Sequence, residues 1–331
     1  MPKHFLDNLL KDPAFLRQLR KRQEEDWTFE KVEALSTEEL LAALVLFDVN
    51  ISAEQFARDA RRHDSAESLN KEWEKTCPIR WTDTLDDDFV WMATFVLWKR
   101  LVPDHIAFEQ ISEEMQDGYE LLEAGKTGAA CDKWWQVWQW VREKVTPERN
   151  TLESFDNAFL GTQSVFNWCQ DFERELSNVG VDDRAYYRRL IRYAEEFLAT
   201  FTDVDWLMHG NFLRAEADAY WELGEIKTAE QKFAALIAQN PDWAWGYVGW
   251  SDHYWLHRDE PKDYAKAEAL LEQALARPRL EDRNDVVERL RDLRKEKPHS
   301  PALGKDMPAQ KTPSLSPAWD MCKWKKKRRK D

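Results

Sequence analysis

The segment HYWLH (residues 253–257) sets His253 and His257 one helical turn apart, a separation at which two imidazoles can share one metal ion. A zinc-protease helix also needs a glutamate directly after the first histidine to activate water, and Tyr254 stands there instead. Asp252 or Asp259 could complete a ligand set. A second acidic stretch, DTLDDDF (Asp83 to Phe89), lacks the glycine and the terminal glutamate of a calcium loop. It reads as a polar connector whose carboxylates cap a helix and face water. No GxxxxGK[ST] or GxGxxG cradles a phosphate, and no GxSxG elbow exposes a nucleophile. Cys77, Cys131, Cys169 and Cys322 lie far apart with no CxxC pair, which argues against a disulfide framework and a cysteine-rich zinc site. No catalytic residue and no cofactor is expected, and the chain reads as a non-enzyme.

Charge offers a different chemistry. The last thirteen residues, WDMCKWKKKRRKD, carry +5, so the other 318 residues carry −19 of the formal −14. An acidic body repels nucleic acid and anionic lipid; the tail alone attracts them. Lys323, Lys325, Lys326, Lys327, Arg328, Arg329 and Lys330 are the candidate polyanion contacts, with Trp319 and Trp324 free to stack on bases or enter a lipid interface. The same segment could fold back onto the acidic body, or stay a solvated charge run.

The elements that must position these residues are helical. Of 331 residues only 10 are glycine, runs of alternating β-branched residues are rare, and Leu, Ala, Glu, Lys and Arg dominate. An all-α fold follows. No apolar run reaches the roughly 20 residues that span a bilayer. The N-terminus shows no apolar core followed by a cleavage site, so a cytoplasmic location is expected. Residues 1–26 form an amphipathic helix, interrupted near Pro13. Ser36, three residues before Glu39, makes a capping box, and Ser52 and Ser65 each open a Ser-Ala-Glu helix start. VWMATFVLWKRL is a buried helix stopped by Pro103, closing a helical domain over 27–103. From 104 to 297 the helices come in pairs. Five prolines between 298 and 317 mark the start of a flexible tail over 298–331.

Within 104–297 one stretch, AEADAYWELGEIKTAEQKFAALIAQNP (215–241), spaces its side-chain sizes regularly. Ala217 and Tyr220 share a face. Leu223-Gly224 ends the first helix, and Ala229 lies where the second approaches it. Phe233, Leu236 and Ile237 continue the inner face until Pro241. The pattern resembles a tetratricopeptide repeat (TPR). A second copy follows 34 residues on: Ser251 and Tyr254, then Ala267, Leu271, Ala274 and Leu275 after an insertion of DEPK. Gly118, Leu121, Ala124-Gly125, Ala130, Trp134 and Val137 make a bulkier upstream copy, and SVFNWCQDFEREL with DRAYYRRLIRYAEEFLATF a degenerate one. Tyr254 then faces inward and leaves the two histidines at a surface or turn, so no metal site is expected. The order STEELLAAL…SAEQF, WMATFVLWKRLVPD, DGYELLEAGKTGAACDKWWQVW, NWCQDFERELSNVG and NPDWAWGYVGWSD, over residues 27–297, also resembles one family of uncharacterised bacterial proteins, with a helical N-terminal region before repeats of this type. Some relatives end in a SEC-C zinc knuckle; here Cys322 stands alone, so the resemblance implies no zinc.

The resemblance implies a TPR-like superhelix of helical hairpins whose first helices line a concave flank. Asn211, Arg214, Asp218, Trp221 and Glu222 would face it, with Trp245, Val248, Asp252, Trp255 and Leu256 in the next repeat. An open flank would hold a peptide or helix of a protein partner, with tryptophans as anchors. The alternative is that neighbouring helices cover these tryptophans.

Overall fold

The computed structural model describes residues 27–76, 84–256 and 261–297, with Pro13 alone ahead of them. Its described residues form fifteen α-helices and no strand, so the chain is all-α. The predicted helix at 1–26, the tail at 298–331, and His257, Asp259, Cys77 and Cys322 lie outside the described residues, apart from Pro13.

The first five helices are α1 (Phe29–Glu33), α2 (Thr37–Val45), α3 (Ala53–Ala60), α4 (Ala66–Thr76) and α5 (Thr84–Leu101). Their starts follow the predicted caps. Ser36 and Glu39 bond each other's backbone reciprocally, at 3.1 and 2.7 Å, and Ser52 accepts from Gln55 N at 3.2 Å. Ser65 accepts from Ser68 N at 3.0 Å. Helix α5 packs against each of α1 to α4. It buries Phe89, Val90, Phe95, Val96, Leu97 and Trp98 because it is apolar around much of its circumference. One expectation is corrected: the acidic connector is already helical from Thr84, so Asp86 to Asp88 lie in the opening turns of α5. Carboxylates are favoured there by the positive end of the helix dipole.

The remaining helices are α6 (Phe108–Glu123), α7 (Thr127–Lys144), α8 (Leu152–Phe159), α9 (Val165–Gly180) and α10 (Ala185–Thr200). They continue with α11 (Trp206–Glu222), α12 (Ile226–Gln239), α13 (Ala244–Trp255), α14 (Tyr264–Leu275) and α15 (Arg283–Glu296). Four sequential pairs pack closely: α6 with α7, α9 with α10, α11 with α12, and α13 with α14. The pairing is less regular than expected: α10 also packs closely on α11, the short α8 interrupts the series, and no helix follows α15 among the described residues. Alternate helices also touch, α9 with α11, α11 with α13, and α13 with α15. This brings every second helix into one row.

The turns are built as the sequence predicts. Gly125 and Gly224 end α6 and α11 in the left-handed region, with φ of 71° and 79°, a conformation glycine adopts without strain. Ala217, Ala229, Phe233, Ser251, Ala267, Leu271 and Ala274 are buried at the helix contacts. Gly118 explains how the bulkier copy fits: a Cβ there would lie 1.9 Å from Trp134 Nε1, so the missing side chain seats the indole. Trp134, Trp138, Trp168, Phe172, Tyr193 and Phe197 then make an aromatic core across α7, α9 and α10.

The hydrophobic cluster of the first five helices joins a second cluster, built on α6 to α11, at Asp64. Its carboxylate meets Lys144 at 3.0 Å and Arg149 at 2.6 Å, and its carbonyl accepts from Phe108 N at 2.8 Å. Glu109 reaches back from α6 to accept from Ala66 N and Glu67 N at 3.1 and 3.0 Å, capping α4 from outside.

Candidate functional site

The row of alternate helices carries charge where a contact made for folding alone would be apolar. Helix α9 brings Glu173; α11 brings Arg214, Asp218 and Glu222; α13 brings Asp252 and His253; α15 brings Arg289. His253 Nε2 lies 2.7 Å from Asp218 Oδ1, and its Nδ1 lies 3.9 Å from Glu222 Oε1. Arg289 meets Asp252 Oδ2 at 3.4 Å. Arg214 threads between them, its stem lying where a side chain on Gly249 would begin: a Cβ there would stand 3.0 Å from Arg214 Cδ.

The sequence placed part of this set. Asp218 and Asp252 occupy the same slot in successive copies, and the structure brings both to the network, with Arg214 and Glu222. It overturns the expected surroundings of four candidates. Trp221, Trp255 and Asp252 are 6%, 2% and 2% exposed, so they do not line an open flank; neighbouring helices cover them. Trp221 stacks on His253 with centroids 4.7 Å apart and meets Tyr254 edge-on. Val248 is buried too. Trp245 is half-buried and donates its indole N–H to Asp282 at the start of α15, at 3.0 Å. Asn211, Arg214, Asp218, Glu222 and Leu256 keep partial exposure.

His253 is likewise corrected: it is 4% exposed and belongs to the network, not to a surface or turn. Its stacking on Trp221 and its bond to Asp218 hold the ring in place. Glu173, Arg289 and Gly249 were missed. The repeated aspartate slot was the available signal; Glu173 sits in the copy too degenerate to align, and Arg289 in the helix after the last pair.

Electrostatics distinguish the network from ordinary surface pairs. Burial pushes the Glu173 carboxyl up to about 7, Arg214 and Arg174 pulling it down and Asp218 and Glu175 adding to the rise. Burial also pushes Asp252 up to about 6, against the pull of Arg289, His253 and Arg214. Among the described residues, these four carboxylates lie with Arg214, Arg289 and the His253 imidazole, and Arg174 acts on Glu173 from its own helix. Among the described residues, buried Arg214 Nε, Asp252 Oδ1 and Trp255 Nε1 have no hydrogen-bond partner. Each such group costs about 1–3 kcal/mol.

The chemistry this permits is recognition of donors and cations on partly exposed carboxylates. An imidazole held by a carboxylate is also an oriented base. The hydroxyl two residues earlier, on Ser251, is fully buried and donates to Val248 O at 2.9 Å. No group of three His, Cys, Asp or Glu side chains able to hold a metal ion occurs among the described residues. Cys131 and Cys169 are buried thiols, their pKa raised by burial. No described helix is long and apolar enough to cross a membrane. Comparison with known proteins gives no match to a family model, a curated protein or a solved structure.

Proposed function

We propose that this chain is a TPR-like scaffold, non-enzymatic and cytoplasmic, that holds a peptide or helix of a partner protein along the flank formed by α9, α11, α13 and α15. The observation that carries this reading is the charged network running across alternate helices. Buried ion pairs contribute little net stability against apolar packing of the same volume, so a network with orphaned polar atoms is a poor device for folding alone. The contacts between alternate helices and the left-handed glycines at the hairpin turns support the repeat reading.

The anchors differ from those the sequence suggested. Trp221 and Trp255 serve as walls, while Asn211, Arg214, Asp218 and Glu222 remain the reachable polar groups, with Trp245 beside them. Affinity capture from the native host with the full chain, compared with an Asn211→Ala, Asp218→Asn, Glu222→Gln variant, tests the proposal. At least one specific partner should be lost with the variant while helicity and melting temperature hold. Identical capture by both proteins sinks this flank as the binding surface.

A further inference from the structure

A hollow of about 340 Å³ lies between α8, the start of α9 and the start of α11. Leu152, Phe166, Val204 and Met208 form its apolar surface. Phe166 is 42% exposed, and Leu207, next to Met208, 44%. Such a volume sits at the small end of ligand-sized cavities, about 300 Å³ upward.

Four carboxylates rim it: Glu153, Asp156, Asp203 and Asp205. Local backbone fixes three of them. Asp156 accepts from Val165 N and Phe166 N at 2.6 and 3.2 Å, Asp203 from Leu152 N at 2.8 Å, and Asp205 from Met208 N at 2.8 Å. The helix ends they cap offset part of their charge. None of the four forms an ion pair with a described Lys, Arg or His. Elsewhere in this acidic body, carboxylates such as Asp64, Glu196 and Glu216 are paired with cations. Burial raises the Asp156 pKa, as expected where a carboxylate lacks a cation.

We propose that the chain's own C-terminal segment, residues 319–330, docks here, with an indole of Trp319 or Trp324 on the apolar surface and the Lys/Arg run on the acidic rim. Charge complementarity selects this occupant. The last thirteen residues carry +5 and two tryptophans, whereas residues 1–26 carry only +1. The 27 residues from Lys297 to Trp324 span about 90 Å when extended, more than three lengths of an 18-residue helix at about 27 Å. Docking withdraws the basic run from outside polyanions until they compete for it, and salt weakens it.

Carbodiimide cross-linking of the full-length chain, which joins amine to carboxylate with no spacer, reads the contact directly. Links from Lys323, Lys325, Lys326, Lys327 and Lys330 should concentrate on Glu153, Asp203 and Asp205, within monomers. They should fall at least threefold in 1 M salt. A Phe166→Ala variant with unchanged circular dichroism should show the same fall. Tail lysines linked evenly over the body, linked to a second copy, or replaced at the hollow by Lys3, Lys11 or Lys21 would overturn the proposal. A second readout does not depend on the cross-linker. A fluorophore on Cys322, in a Cys77→Ser chain whose Cys131 and Cys169 are buried, should lose anisotropy when Glu153, Asp203 and Asp205 become Gln, Asn and Asn. Equal anisotropy in the two proteins refutes docking.

Discussion

The aromatic core of α7, α9 and α10 and the charged row of α9, α11, α13 and α15 share helix α9 but bury their contacts by opposite means. In the core, bulk meets bulk, and most polar tips find a carbonyl or carboxylate. Trp134 Nε1 donates to Met115 O at 3.0 Å, Trp138 Nε1 to Glu196 at 2.8 Å, and Tyr193 Oη to Cys169 O at 3.0 Å. Trp168 Nε1 is the exception. In the row, carboxylates outnumber guanidiniums, and among the described residues four buried polar atoms, on Trp206, Arg214, Asp252 and Trp255, go without a bond. The difference teaches which region is made for stability and which keeps a composition that stability does not favour.

The comparison breaks most visibly at Trp138. Trp138→Ala should cost about 4 kcal/mol in urea unfolding, as expected for emptying a fully buried aromatic site. A loss below about 1 kcal/mol would remove the core from its role. Arg289→Met should cost about 3 kcal/mol at pH 8, because it strands the buried Asp252 charge. At pH 5 the cost should be much smaller, since Asp252, pushed up to about 6, is then protonated. Equal costs at the two pH values would detach Asp252 from Arg289.

Glu173→Gln should act in the opposite direction. Its folded pKa of about 7 lies above the ordinary 4.5, so between these values the folded state binds a proton that the unfolded chain releases. Stability therefore declines as pH rises from about 4.5 to about 7 and stays reduced above. The amide, which cannot ionise, should stabilise the fold by about 2 kcal/mol at pH 8 and hardly at all at pH 5. Thermal melts at both values decide it; a destabilised variant at pH 8 contradicts the cost of ionising a buried Glu173. Ser52→Ala, in the first cluster, is the reference for an ordinary local contact. It should cost about 1 kcal/mol with no pH dependence between 5 and 8.

Local signals carried well from sequence to structure. Ser36, Ser52 and Ser65 start helices because a hydroxyl satisfies amides within one turn, and Gly224 ends one because its φ is positive. Neither depends on anything distant. Side-chain surroundings did not carry. Trp221 and Trp255 occupy slots that face a flank in a single repeat, but only the next helix in the row decides whether that slot is covered. His253 was expected at a surface or turn because spacing within one helix says nothing of Asp218, 35 residues away. The early helical start of α5 was hidden because three consecutive aspartates suit a turn and the first turn of a helix equally well.

Asp64 carries a consequence of another kind. Burial raises its pKa, but Arg149 and Lys144 outweigh that and hold it below the ordinary value. Its contribution is complete above about pH 4 and is lost only as acid protonates it through its lowered pKa. Mild acidification thus relaxes the crowded carboxylates of the row while leaving the rivet between the first two clusters intact. Stronger acid loosens that joint, so acid unfolding should begin where the first five helices meet α7 and not in the row.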